Sequence, residues 1–184
     1  MSKGNIFVIS GPSGSGKDTL MAELFKKRPD IKFSISSITR PMRVGEVNGQ
    51  KYNFITREEF EDMLSKDMFL EHNVFVGNYY GTPRQPVLDA AEAGHNILIE
   101  VDVNGADQIR AKLPQAISIF IMPPSVEVLR KRLSGRGTET EDIIQKRMDS
   151  ALLEMARASE YNYTVVNDDI ETAVNEIIQI IDKQ

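Results

Sequence analysis

The sequence predicts an α/β fold, a parallel core sheet flanked by helices, on three observations. Apolar runs of strand length alternate with stretches of helical periodicity along most of the 184 residues. The first run, Ile6-Phe7-Val8-Ile9, passes into a glycine-rich loop and then into a helical stretch with Leu20, Met21, Leu24 and Phe25 on one face. Composition, 41% hydrophobic and 27% charged, is that of a folded chain, long enough for one well-buried domain and too short for two ordinary ones.

Taken in order, Ile6-Phe7-Val8-Ile9 reads as a strand buried on both faces, since it has no polar alternation. Ile31, Phe33 and Ile35 alternate with polar residues and predict a second strand over 31–35. Further core strands are predicted over 96–101, 117–121 and 163–166. Helical spacing links Val87, Leu88 and Ala91, then Ala106, Ile109 and Leu113, then Val126, Leu129 and Leu133. A longer helix carries Ile144, Met148, Ala151 and Met155, and the last carries Ala173, Val174, Ile177, Ile178 and Ile181. Two stretches break the alternation. Residues 36–82 hold polar loops, a short helix around Phe60, Met63 and Leu64, and strand-like pieces at 52–55 and 69–76, predicting an inserted subdomain. Ser134-Gly135-Arg136-Gly137-Thr138-Glu139-Thr140-Glu141 is polar and glycine-punctuated between two helices, with Thr138 or Thr140 able to cap the second, and predicts a mobile lid over about 134–146.

The loop Gly11-Pro12-Ser13-Gly14-Ser15-Gly16-Lys17 has the G-x-x-x-x-G-K spacing of a phosphate-binding loop. Glycines let the backbone curl so that successive N–H groups and the positive end of the following helix converge on a phosphate, while Lys17 adds a point charge. The residue after the lysine is normally Ser or Thr, whose hydroxyl binds Mg²⁺. Here it is Asp18, with Thr19 one place later. A carboxylate is also a hard oxygen ligand, yet it brings negative charge close to the phosphates.

Other groupings carry chemistry less specifically. Arg40 and Arg43, followed by Tyr52, could hold a phosphate monoester or could form a solvated loop. Glu100 and Asp102 stand at the end of a predicted core strand, where open α/β sheets present ligand groups. Arg132 and Arg136 fall on one face if their helix continues, and Arg147 lies on the next helix; a solvated basic face has the same pattern. His72 and His95 are isolated, without metal-ligand spacing.

The run from Ser36-Ser37-Ile38-Thr39-Arg40-Pro41-Met42-Arg43 through Gly49-Gln50-Lys51-Tyr52-Asn53-Phe54 resembles the signature of guanylate kinases, which move the γ-phosphoryl of ATP to GMP. The resemblance continues through Gly77-Asn78-Tyr79-Tyr80-Gly81-Thr82, Glu100 to Gly105, Pro123-Pro124-Ser125, Arg132 to Glu141 and Val166-Asn167-Asp168-Asp169, and so spans essentially the whole chain. It implies a P-loop kinase with a GMP-binding insert and a mobile lid, using ATP with Mg²⁺. It further implies that Arg40, Arg43, Tyr52 and Tyr80 bind the GMP phosphate and that Ser36, Glu71, Thr82 and Asp102 read the guanine. Guanine offers donors at N1 and N2 for carboxylates and an acceptor at O6 for hydroxyls, so such a site would leave groups unpaired with AMP. On the ATP side the resemblance implies that Arg132, Arg136 and Arg147 close over the triphosphate and that Glu100 lies near the metal, directly or through water. The loop Gly11 to Thr19, with Asn167, is expected to hold ATP, Lys17 and Arg40 are expected to act in catalysis, and Asp18, where the loop departs from the usual pattern, is a second expected metal residue, directly or through water.

Bulk properties limit the partners. A formal charge of −5 disfavours a general nucleic-acid binder, and the absence of cysteine fits a reducing compartment. Neither an export signal nor an apolar run of membrane-spanning length occurs, so the expected location is the cytoplasm, with no membrane partner. The expected ligands are free ATP and GMP, with dGMP and the oligomeric state left open. Two rivals stand beside this reading. A related kinase of phosphorylated ribose is favoured only by the Gly-Lys-Asp of the loop and opposed by Glu71, Thr82 and Asp102. A non-catalytic phosphopeptide-binding module of guanylate-kinase type is opposed by the intact loop glycines and Lys17.

Overall fold

The computed structural model describes residues 3–135 and 140–184; Arg136 and the lid residues Gly137, Thr138 and Glu139 lie outside them. The elements are β1 (Ile6–Ser10), α1 (Lys17–Lys27), β2 (Lys32–Phe33), β3 (Ser36–Ile38), β4 (Tyr52–Phe54), α2 (Arg57–Ser65), β5 (Phe69–Phe75), β6 (Asn78–Pro83), α3 (Arg84–Glu92), β7 (Ile97–Glu100), α4 (Val103–Lys112), β8 (Ile117–Met122), α5 (Val126–Ser134), α6 (Glu141–Met155), β9 (Tyr163–Val166) and α7 (Ile170–Asp182). A five-stranded sheet has the order β2-β7-β1-β8-β9, and a four-stranded sheet the order β4-β3-β6-β5. All of β1 is buried, which accounts for its unbroken apolar run. No helix among the described residues is long and apolar enough to cross a membrane.

The chain divides into two compact units. The first comprises Met1–Val8, Ile31–Glu100 and Asn104–Ala116. Within it β2 pairs in parallel with β7, Lys32 opposite Ile97 and Phe33 opposite Leu98. The alternation that predicts a strand over 31–35 is cut short here: after Ser34 donates to the Leu98 carbonyl at 2.9 Å, the chain leaves for the other sheet as β3. Side-chain alternation records which face is buried and not which neighbour supplies the hydrogen bonds, so a change of sheet leaves no mark in it.

The four-stranded sheet is built wholly from residues 36–83, with β3 parallel to β4 and antiparallel to β6, and β6 antiparallel to β5. Periodicity predicts β4 and β5 but neither β3 nor β6, whose Asn-Tyr-Tyr-Gly-Thr-Pro has no apolar alternation. The hairpin forms β6: Val76 and Gly77 both take positive φ, 49° and 75°, the backbone a tight turn between antiparallel strands requires. Phe60 of α2 stacks between Phe69 and Tyr79, at centroid distances of 4.3 and 4.9 Å. A Cβ at Gly81 would sit 2.9 Å from atoms of both Phe60 and Phe69, so this stack requires glycine. A reciprocal capping box between Thr56 and Glu59 starts α2.

The second unit comprises Ile9–Asp30, Val101–Val103 and Ile117–Gln184. Its strands β8 and β9 pair in parallel from Ile119 opposite Tyr163 to Met122 opposite Val166. The predicted stripes on α5 and α6 meet, Leu129 and Leu133 clustering with Ile144, Met148 and Ala151, and Met155 packs on the cluster. On α7 the buried positions are Ala173, Val174, Ile177, Ile180 and Ile181, so Ile180 takes the place periodicity assigns to Ile178. Of the lid range predicted from sequence, the described part is Ser134 at the end of α5, Gly135, and the start of α6 behind Thr140, whose side chain makes no capping bond.

Gly11, directly after β1, has φ 149°, and a Cβ there would lie 2.4 Å from the Ile121 carbonyl oxygen. Gly11→Ala is therefore expected to cost about 2 kcal/mol or more, lowering Tm by about 4 °C or more in a chain of this size, as thermal unfolding will measure.

Candidate active site

The glycine-rich loop is held from behind by residues far along the chain. Gly14 and Gly16 take φ of 84° and 90°, and Gly16 stands at the N-cap of α1, where it offers no side-chain cap to the backbone amides of the first turn. The Ser15 carbonyl accepts the buried Asn167 amide at 2.8 Å and Nη1 of Arg132 at 3.3 Å, while Nη2 of Arg132 donates to the Asn167 carbonyl at 3.0 Å. A Cβ at Gly16 would lie 2.3 Å from the Asn167 amide nitrogen. Nη2 of Arg147 donates to the Ser13 hydroxyl at 2.8 Å. The Lys17 ammonium folds back over the loop, 2.5 Å from the Gly11 carbonyl and 3.2 Å from that of Pro12. Lys17, Arg132 and Arg147 thus converge on one loop, Arg136 lying outside the described residues.

A loop of this kind, with three cations and a helix start, is a site for a polyphosphate. The side-chain oxygens of Ser10 and Ser15 and Oδ1 of Asn167 are buried with no hydrogen-bond partner. Asp18 and Thr19, in the first turn of α1, are exposed. Their hard oxygens suit Mg²⁺, which binds through one or two protein oxygens together with phosphates and water. Glu100 is the last residue of β7 and is half-buried; Asp102 lies beyond the strand, not at its end as the sequence suggests, and is exposed.

Sequence reasoning overlooks Glu154. It shares a face of α6 with Lys146, Arg147 and Ser150, and these line, with Ser13, a cavity of about 250 Å³. Burial pushes its carboxyl above the usual range; Lys17 pulls it down and Asp102 adds to the rise. The signal was the Arg147 to Glu154 spacing of seven, which returns to the same helical face.

In the first unit, Arg40 forms a two-pronged ion pair with Glu46, at 2.7 and 2.6 Å, and its guanidinium carbon stands 5.6 and 5.3 Å from the ring centres of Tyr52 and Phe54. Glu46 also accepts the Arg43 amide at 2.7 Å. Arg40 first, then that amide, holds the Glu46 carboxyl down at about 2. Tyr80 adds a smaller hydrogen-bonding contribution at Arg40, while Arg43 is exposed. The fold therefore gathers Arg40, Tyr52 and Tyr80, and adds Glu46, overlooked in the sequence because a loop carries no periodicity to reveal a partner six residues away.

The expected base-reading residues of this unit lie on the four-stranded sheet. Glu71 and Thr82 face each other across β5 and β6, both buried, and the Thr82 hydroxyl donates to Glu71 Oε1 at 2.6 Å. Ser36 opens β3 and is half-buried. A buried carboxylate beside a hydroxyl is a strong acceptor set for a ligand edge that presents two N–H donors.

Comparisons of the whole chain with known proteins give concordant matches. The family model described as guanylate kinase matches residues 3–184. The chain is 46% identical over 181 residues to a guanylate kinase of Carboxydothermus hydrogenoformans, covering 98% of this chain and 89% of that one. It is 47% identical over 176 residues to one from Trichormus variabilis, covering 96% and 88%. The crystal structure of guanylate kinase from Anaplasma phagocytophilum superposes with a TM-score of 0.78 at 33% identity, over 100% of this chain and 87% of that one.

Because burial raises the Glu154 carboxyl, ionising it penalises the folded state more than the unfolded one. The penalty is absent at acid pH and grows as pH climbs from the ordinary carboxylate value to the raised one. Glu154→Gln should therefore have the higher Tm of the two proteins at pH 7 to 8, and the difference should close as pH falls below the carboxylate range. Melting curves across pH check this, and a constant difference at every pH would refute it.

Proposed function

The chain belongs to the guanylate kinase family, a nucleoside monophosphate kinase by that membership, and from this premise we propose how its residues divide the transfer of the γ-phosphoryl of ATP to GMP. One observation carries the catalytic reading: Lys17, Arg132 and Arg147 all bond to the same glycine-rich loop. In the proposed reaction a GMP phosphate oxygen attacks the γ-phosphorus in line, the bond to the bridging oxygen breaks, and ADP leaves with that oxygen. No protein nucleophile is needed, so the protein's contribution is position and charge.

Backbone amides from Gly11 to Thr19, with Asn167 shaping the loop, would hold the ATP phosphates. Lys17 and the arginines Arg132, Arg136 and Arg147 would offset charge gathering on the equatorial oxygens. Arg40, Arg43, Tyr52 and Tyr80 would hold the GMP phosphate, with Glu46 orienting Arg40. Glu71, Thr82, Ser36 and Asp102 would read the base, the carboxylates accepting from N1 and N2 and the hydroxyls serving O6. Mg²⁺ bound with ATP would neutralise phosphate charge, and Asp18 with Glu100, directly or through water, are the residues proposed to serve it. The acidic net charge and absence of cysteine support work on free nucleotides in the cytoplasm, with dGMP as a second acceptor sharing the base and phosphate contacts.

A coupled assay of ADP release tests the reading. Turnover is expected with GMP and little with AMP, whereas turnover with a ribose bisphosphate but not GMP would overturn it. Lys17→Met should fold normally and lose on the order of a hundredfold or more in rate. Glu71→Gln should lose about 1 to 3 kcal/mol in kcat/KM for GMP, since a charged acceptor becomes an amide that also presents a donor. If Asp18 serves the metal, Asp18→Ser will shift the Mg²⁺ dependence of turnover at fixed ATP, and superimposable titrations would reject that role.

A further inference from the structure

Edge strands leave a row of backbone groups unpaired, and β5 is an edge of its sheet, with β6 on one side only. At His72 both outward-facing groups are nonetheless satisfied, and by a single side chain. The His72 amide donates to Oε1 of Gln108 at 3.1 Å, and Nε2 of Gln108 donates back to the His72 carbonyl at 3.0 Å. One turn along α4, Lys112 donates to the Phe69 carbonyl at 2.7 Å and to Asp67 at 2.8 Å. Gln108 and Lys112, four apart on one helical face, therefore grip β5 at residues 72 and 69.

Between those two grips the strand is irregular. Phe69 faces Pro83 and Glu71 faces Thr82, so two steps on β5 match one on β6 and Leu70 is the extra residue. A bulge of this kind turns the side chains beside it, and Glu71 is the next residue. Strand geometry alone permits the bulge to relax toward either neighbour, which would rotate or slide the carboxylate. The helix-borne grips on both sides remove that freedom.

We propose that Gln108 is a positioning residue for base selection: by pinning the β5 backbone at His72, it holds the bulge that aims the Glu71 carboxylate at the nucleobase. This rests on the reading of Glu71 as a guanine acceptor. In this role Gln108 acts through the β5 backbone, and its contribution is the constancy of one carboxylate's place.

Gln108→Met, similar in length and packing but without the two hydrogen bonds, is the test, assayed with GMP and with IMP, which lacks the 2-amino donor. The ratio of kcat/KM for GMP over IMP should fall about three- to tenfold, with KM for ATP within about twofold of the parent. Gln108→Glu keeps an acceptor for the His72 amide and should retain more of the preference, which also covers the case in which the methionine variant folds poorly. A lowered Tm with an unchanged GMP to IMP ratio, or an equal rise in KM for ATP, would overturn the proposal. Glu71→Gln run in parallel separates the levels. If it leaves GMP use unchanged, the reading of Glu71 fails and the inference falls with it. If it impairs GMP use while both Gln108 variants keep the parental ratio, the inference alone fails.

Discussion

A backbone that must curl without side chains governs the second unit. Cβ atoms at Gly11, Gly14 and Gly16 would meet, respectively, the Ile121 carbonyl, the Leu133 and Leu129 side chains, and the Asn167 amide, each at about 3.0 Å or closer. The loop therefore lies directly against β8, α5 and the segment after β9, which leave no room for side chains at these three positions. Positive φ at all three glycines is the conformational side of the same requirement. Elements separated by more than a hundred residues have to be in place before the loop has its form.

The arginines fit this constraint in a particular way. The hydrogen bonds of Arg132 go to two carbonyl oxygens, which orient a guanidinium without cancelling its charge. Arg147 donates to the Ser13 hydroxyl among its contacts. Arg40 contrasts with Arg132, since Glu46 holds it in a two-pronged pair that any phosphate would share or displace. Cations held by neutral dipoles keep their attraction for an incoming anion, and one held by a carboxylate gives up part of it for a defined direction.

Glu71 stands for a different economy. A buried carboxylate is tolerated only where donors meet it, and a hydroxyl from the facing strand supplies one. A ligand edge with two N–H groups would complete such a set, whereas an edge presenting an acceptor would be repelled by it, so the proposed discrimination rests on what the site would leave unpaired.

Features whose physics is local can be read along the chain. The loop was legible because strand, glycine spacing and lysine are contiguous, and α5, α6 and β1 were legible because burial of a face imposes its period on neighbouring residues. Arg40, Glu71 and Thr82 are proposed for the site on the resemblance along the chain, since spacing alone leaves them ambiguous. Other features exist only in the folded chain: that the run after Ile31 divides between two sheets, that a hairpin makes a strand of Asn78–Pro83, that Glu46 reaches Arg40, and that Gln108 bonds the edge of β5. Each is a pairing between a group and a partner with no fixed separation in the chain. Periodicity reports which face of an element is covered, but the identity of the covering group exists only once the chain has folded.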